Sequence, residues 1–87
     1  MTLLDESEKY QLIATQRKDT IEFVLIVKET RENISPDKNN TLEKFYIMIC
    51  EDKISQLVRD NADYFTDIKP LIDELYFLKN KKHQNAS

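Results

Sequence analysis

Apolar and polar positions alternate with a period of two in the first half of the chain, the pattern of β-strands. The alternation is clearest in residues 20–29, whose apolar middle and charged ends predict a central strand covered partly on both sides. One face of this strand is apolar throughout: Ile21, Phe23, Leu25 and Val27. Residues 10–16 favour a strand more weakly, and residues 17–19 indicate a turn. Residues 45–50 predict another strong strand, with Phe45, Ile47 and Ile49 on one face.

Beyond residue 50 the apolar period changes to about 3.6, which predicts two amphipathic helices. Asp52 is the expected N-cap of the first helix. Its apolar stripe consists of Ile54, Leu57, Val58, Asn61, Ala62 and Phe65. Thr66 or Asp67 is the expected cap of the second helix, with Pro70 tolerated in the first turn. The second stripe consists of Ile68, Leu71, Ile72, Leu75 and Leu78, with Tyr76 alongside.

The order of these elements predicts an α+β fold, a three-stranded antiparallel sheet followed by two C-terminal helices packed on one face. Residues 1–9 are expected to be a frayed end or one helical turn, and residues 31–41 a loop. The alternative is a small all-α bundle, because residues 21–28 and 42–49 also fit helical spacing. The density of Ile, Val, Phe and Tyr favours strands. The 87 residues suffice for one domain, with residues 80–87 as a solvated tail.

Composition excludes several classes of protein. The chain has no glycine, so glycine-rich phosphate loops and nucleophile elbows are absent. A single cysteine excludes a disulfide-stapled secreted scaffold. The longest apolar runs fall far short of the roughly 20 residues of a membrane span, and the early acidic residues exclude a signal peptide. We therefore expect a cytoplasmic protein without membrane association.

Candidate catalytic groups are scarce. Cys50 lies in an apolar run, and the single histidine, His83, lies in the polar tail, so we expect a buried structural thiol and no catalytic pair. The serines lack a histidine partner for the same reason. One histidine and one cysteine do not make a zinc site, and the aspartates of the first predicted helix indicate a solvated face. The sequence therefore predicts a protein that is not an enzyme and that holds no metal or cofactor.

Charge is distributed unevenly along the chain. The net charge is −3, while residues 51–74 hold seven acidic and three basic side chains. The helical wheel places Asp60, Asp63 and Asp67 opposite the apolar stripe of the first helix. These carboxylates are interpreted either as an acidic patch that docks on a basic protein surface or as a solubilising face. Lysines 79, 81 and 82 form a basic tip, but the pI near 5.1 makes nucleic acid an unfavourable partner.

Aromatic residues complete the candidate site. If Phe65 packs inward, its neighbour Tyr64 turns outward, and core positions for Leu75 and Leu78 leave Phe77 at an edge. Tyrosine and phenylalanine are enriched at protein interfaces. The predicted partner-binding residues are Asp60, Asp63, Tyr64, Asp67, Asp73 and Phe77. The alternatives for these rings are lateral core packing and a homodimer seam.

The functional hypothesis is a small, acidic, non-enzymatic protein-binding module that occludes or adapts a partner protein with a basic surface. This composition is typical of regulators, inhibitors and immunity-type proteins encoded by phages and mobile elements. The first alternative is a homodimeric structural or accessory subunit. The second is a nucleic-acid-associated protein that uses the basic C-terminal tip.

Overall fold

The structure is a computed structural model that describes residues 1–34 and 41–85, with side chains for residues 1–34 and 42–80. Its elements, in chain order, are β1 (Thr2–Glu6), β2 (Tyr10–Arg17), β3 (Thr20–Val27), α1 (Thr41–Arg59), a π-helical turn (Tyr64–Ile68) and α2 (Lys69–Asn85). The strands form an antiparallel sheet in the order β1-β2-β3. The predicted α+β fold, a three-stranded sheet followed by two C-terminal helices, is confirmed.

The strands of the sheet are not all the predicted ones. The strands expected at residues 10–16 and 20–29 are confirmed as β2 and β3, and Lys18 and Asp19 form the two-residue turn between them. The strand expected at residues 45–50 is wrong, because this run lies inside α1. The third strand is β1, in the segment expected to be a frayed end or a helical turn. Of the loop predicted at residues 31–41, residues 35–40 lie outside the described residues, and Thr41 is the first residue of α1.

The core shows why residues 45–50 are helical. Phe45 and Ile49, four residues apart on α1, are completely buried, whereas Ile47, which a strand would place beside them, is half-buried. A spacing of four brings two side chains onto one face of a helix. They pack against Leu12 and Leu25, which pair across β2 and β3. Helix α1 therefore covers one face of the sheet.

Asp52 has a different role from the predicted N-cap. It lies in the middle of α1 with 7% of its surface exposed. Its Oδ2 accepts hydrogen bonds from Ser7 Oγ at 2.6 Å and from the Lys9 backbone N–H at 2.9 Å. The carboxylate thus fastens the loop between β1 and β2 to the helix.

Helix α1 ends earlier than the apolar stripe predicts. The Asn61 N–H bonds to the Val58 carbonyl at 3.2 Å and the Ala62 N–H to the Leu57 carbonyl at 2.9 Å, the bond pair of a Schellman motif. Asn61 itself is left-handed, with φ 56. Core positions for Val58 and Phe65 are wrong, because the chain turns away and leaves both exposed.

Helix α2 packs along α1. Its predicted stripe is confirmed as the inward side, with Ile68 buried and the other four residues half-buried. Cys50 on α1 is buried and donates a hydrogen bond from Sγ to the Leu71 carbonyl at 3.3 Å. Within the described residues α2 contacts α1 and the π-helical turn but no strand, so the second helix rests on the first rather than on the sheet. Residues 80–85 are helical in backbone, and the side chains of the predicted solvated tail beyond residue 80 lie outside the described residues.

Candidate protein-binding surface

All six predicted partner-binding residues are exposed. The expectation that Asp60, Asp63 and Asp67 share one face of a continuous helix is wrong, because the turn at Asn61 separates the first from the other two. Asp60 remains at the end of α1, where its Oδ2 accepts a hydrogen bond from Gln56 Nε2 at 2.8 Å. The π-helical turn and α2 together form one helical rod. Asp63, Tyr64 and Asp67 lie at its start.

Asp63 starts that rod. Its backbone is extended, and its Oδ2 accepts a hydrogen bond from the Thr66 N–H at 2.8 Å, as an N-cap does. Thr66 and Asp67, the predicted caps, lie inside the π-helical turn. The hydrogen bonds from Thr66 hold the pKa of the Asp63 carboxyl below its usual value, because they favour the charged form.

Four aromatic rings project into solvent from this rod. Tyr64, Phe65, Tyr76 and Phe77 are exposed by 47%, 76%, 66% and 66%. The rings of Tyr64 and Phe65 meet edge to face, with centroids 5.1 Å apart. The outward position of Tyr64 and the exposed position of Phe77 agree with the sequence prediction. Phe65 and Tyr76 were missed.

The rings form two pairs along the rod, Tyr64 with Phe65 in the π-helical turn and, twelve residues further on, Tyr76 with Phe77 in α2. Lys69 and Asp73 lie between the pairs, four residues apart on one face of α2. At a rise of about 1.5 Å per residue, the stretch from Phe65 to Phe77 is about 18 Å long. The carboxylates of this stretch lie between or beside the rings. We call the set the aromatic surface, and it comprises Asp63, Tyr64, Phe65, Asp67, Asp73, Tyr76 and Phe77.

The aromatic surface is acidic. Residues 60–74 hold five carboxylates and one lysine. That lysine, Lys69, is paired with Asp73 at 3.1 Å. The Asp67 carboxylate has no hydrogen-bond or ion-pair partner among the described residues. Its charge is therefore directed to solvent or to a partner.

The basic tip is partly engaged within the chain. Lys79 pairs with Glu51 of α1 at 3.5 Å. The side chains of Lys81 and Lys82 lie outside the described residues. The described part of the tip thus offers no free cation for a nucleic acid.

Other candidate chemistry is limited. Burial raises the pKa of the Cys50 thiol, so it stays protonated at neutral pH. Among the described residues, no three of the histidines, cysteines and acidic side chains form a group that could hold a metal ion. A depression of about 420 Å³ lies beside Tyr10, and its polar lining is Glu8, Lys9 and Glu29.

Comparison of the chain with models of protein families, with curated proteins and with solved structures gave no match. No helix in residues 1–34 and 41–85 combines the length and the apolar character needed to cross a membrane.

Proposed function

We propose that the protein is a non-enzymatic binding module that docks on another protein through the aromatic surface. The observation that carries this proposal is the exposure of four aromatic rings within the 14 residues from Tyr64 to Phe77. Single exposed apolar residues are common on protein surfaces, whereas two pairs of exposed rings on one helical segment are not, and exposed apolar patches mark interaction sites. The module acts by covering or bridging a surface of its partner.

Ring burial would supply the affinity. Full burial of a phenylalanine side chain contributes about 1.5–3 kcal/mol. Phe65 and Phe77 leave 76% and 66% of their surface for a partner. Tyrosine adds a hydroxyl that can stay at the wet rim of an interface. These properties suit a compact binding site with a few dominant side chains.

Charge would select the partner. The carboxylates beside the rings favour a surface that carries lysine or arginine around an apolar pocket, and they speed its approach by long-range attraction. Asp67 contributes its full charge, because no group within the described chain pairs with it. The proposed partner is therefore a protein with a basic, partly apolar face.

The first experiment is affinity capture from the native lysate with three forms of the chain. They are the wild type, the variant Phe65→Ser/Phe77→Ser, and the control Ile21→Ser, which removes an apolar side chain that is 57% exposed on the sheet. We expect one protein to be retained in equimolar amount by the wild type and the control and lost with the double variant. Equal retention by all three forms, or no retained protein, contradicts the proposal.

A second experiment tests the charge once a partner is in hand. The variant Asp67→Asn/Asp73→Asn should lower the association rate constant about 3–10-fold at low salt, because steering depends on local charge. The control Asp19→Asn/Glu29→Gln removes two exposed charges from the two ends of the sheet. An equal loss in both variants would mean that net charge, and not the aromatic surface, guides association.

A further inference from the structure

The face of the sheet opposite α1 carries a second apolar patch. The strand register places Leu3, Ile13 and Val24 side by side in one row across β1, β2 and β3. Ile26 follows Val24 by two residues and so shares its face. We call these four side chains the outer face. They alternate with the buried Leu12 and Leu25, which point to α1.

No described element covers the outer face. The core that α1 forms with the sheet involves Leu12 and Leu25 on the other side, and in the part of the chain that the structure describes α2 contacts no strand. Leu3 is 49% exposed, and Ile13, Val24 and Ile26 are half-buried among their own neighbours. Sheets of this kind commonly leave one face to water, but that face is then polar. The apolar row across all three strands departs from that pattern.

Charges at the two ends of the outer face are balanced. One end carries the ion pair of Lys28 Nζ with Glu6 Oε1 at 2.7 Å. The other end carries the ion pair of Arg17 Nε with Glu22 Oε1 at 3.3 Å. By strand alternation and register these side chains lie on the same side as the outer face. The patch therefore has no net charge, unlike the acidic aromatic surface.

We propose that the outer face binds a second copy of this chain, sheet against sheet. A neutral patch meets its own copy without repulsion, although the whole chain carries −3. A two-fold axis between the sheets and perpendicular to the strands brings the Glu6–Lys28 end of one copy over the Arg17–Glu22 end of the other. Each end then presents one positive and one negative group to its counterpart.

The area of the sheet limits the strength of association. Strands of five, eight and eight residues, spaced about 4.8 Å apart with a rise of about 3.3 Å per residue, give a sheet footprint of about 330 Å² per copy, or about 660 Å² for two copies. This area is below the roughly 1,000 Å² of a stable specific interface, so we expect a weak, reversible dimer in equilibrium with the monomer.

Sedimentation equilibrium of the full chain tests the proposal over about 1 μM to 1 mM. The wild-type mass should rise from 10.4 kDa toward twice that value. The variant Ile13→Thr/Val24→Thr keeps β-branched side chains but removes apolar surface, and its dimer dissociation constant should be at least about tenfold higher. The matched control Ile21→Thr alters an exposed residue of β3 on the opposite face and should dimerise as the wild type does.

Two results would overturn the proposal. One is a wild-type chain that stays monomeric throughout. The other is a dimer that persists in the outer-face variant but dissociates in the variant Phe65→Ser/Phe77→Ser. That result would place the dimer interface on the aromatic surface. Circular dichroism checks that each variant is folded. If the outer-face variant unfolds, the wild type is diluted and its amide chemical shifts are followed by NMR. Concentration-dependent shift changes confined to β1–β3 support the proposal, and changes confined to α2 contradict it.

Discussion

The carboxylate of Asp52 connects α1 to the loop between β1 and β2, and its removal tests that connection. In the variant Asp52→Ala, the Ser7 hydroxyl and the Lys9 N–H both lose their acceptor. Ser7 is itself buried, and its Oγ also accepts the Tyr10 N–H at 3.3 Å. Loss of the carboxylate therefore loosens the whole connection between β1 and β2.

The expected magnitude follows from these contacts. A hydrogen bond to a charged group contributes about 1.5–3 kcal/mol, and two such bonds are lost. The variant also avoids the cost of holding a charge out of water, which offsets part of the loss. We expect Asp52→Ala to lower the free energy of unfolding by about 2–4 kcal/mol. That is a large fraction of the roughly 5–10 kcal/mol of a domain this size.

Urea unfolding followed by circular dichroism measures the effect, and a double-mutant cycle with Ser7→Ala isolates the pair. The coupling between the two positions should be about 1–2 kcal/mol. Glu51→Ala is the control, since Glu51 precedes Asp52 on α1 and its exposed ion pair with Lys79 contributes at most about 1 kcal/mol. A loss below about 1 kcal/mol in Asp52→Ala, or no coupling to Ser7, would refute the reasoning.

Three further predictions address the core, the turn and the cap. Phe45→Ala, which empties a fully buried site, should cost about 3–5 kcal/mol in the same unfolding assay; a loss near zero would mean that the helix does not pack on the sheet. Asn61→Val should lower stability by at least about 1 kcal/mol, and Asn61→Gly should not, because only the branched side chain opposes φ 56. The pKa of Asp63 is lowered by folding, so its stabilisation is present above its usual pKa and lost as pH falls through the folded value. The free energy of unfolding of Asp63→Asn should therefore fall less steeply at acid pH than that of the wild type. An unchanged pH dependence would contradict the N-cap role of Asp63.

Residues 21–28 also fit helical spacing, and it was their density of β-branched and aromatic side chains that favoured a strand over a helix. Residues 45–50 are too few for that distinction, since Phe45 and Ile49 satisfy both periods. Packing of Phe45 and Ile49 on Leu12 and Leu25 stabilises the helix, and these contacts join residues far apart in sequence. Strand β1 was hidden by an irregularity in its pairing between Leu3 and Asp5, which interrupts the alternation of a short edge strand.

The candidate site was predicted in part for a similar reason. Helices commonly end at a glycine, and this chain has none, so the apolar stripe predicts one helix that continues to Phe65. Asn61 takes the left-handed position instead, and Asp63 starts the next helical rod two residues later. The sequence Asn61-Ala62-Asp63 held that signal, because asparagine ends helices and aspartate starts them. A predicted helix end at Asn61 would have placed Phe65 in an exposed position.

The two proposed surfaces should act independently, because α1 stands between them. Val24 lies on the outer face of the sheet and Phe77 lies on α2, which contacts no strand among the described residues. A helix with its side chains is about 10 Å thick, and substitutions separated by that distance usually add within about 0.5 kcal/mol. A chain that carries Val24→Thr together with Phe77→Ser should therefore show the dimer constant of the first variant and the partner affinity of the second. Coupling above about 1 kcal/mol between the two measured constants would contradict this separation and would mean that self-association and partner binding share one site.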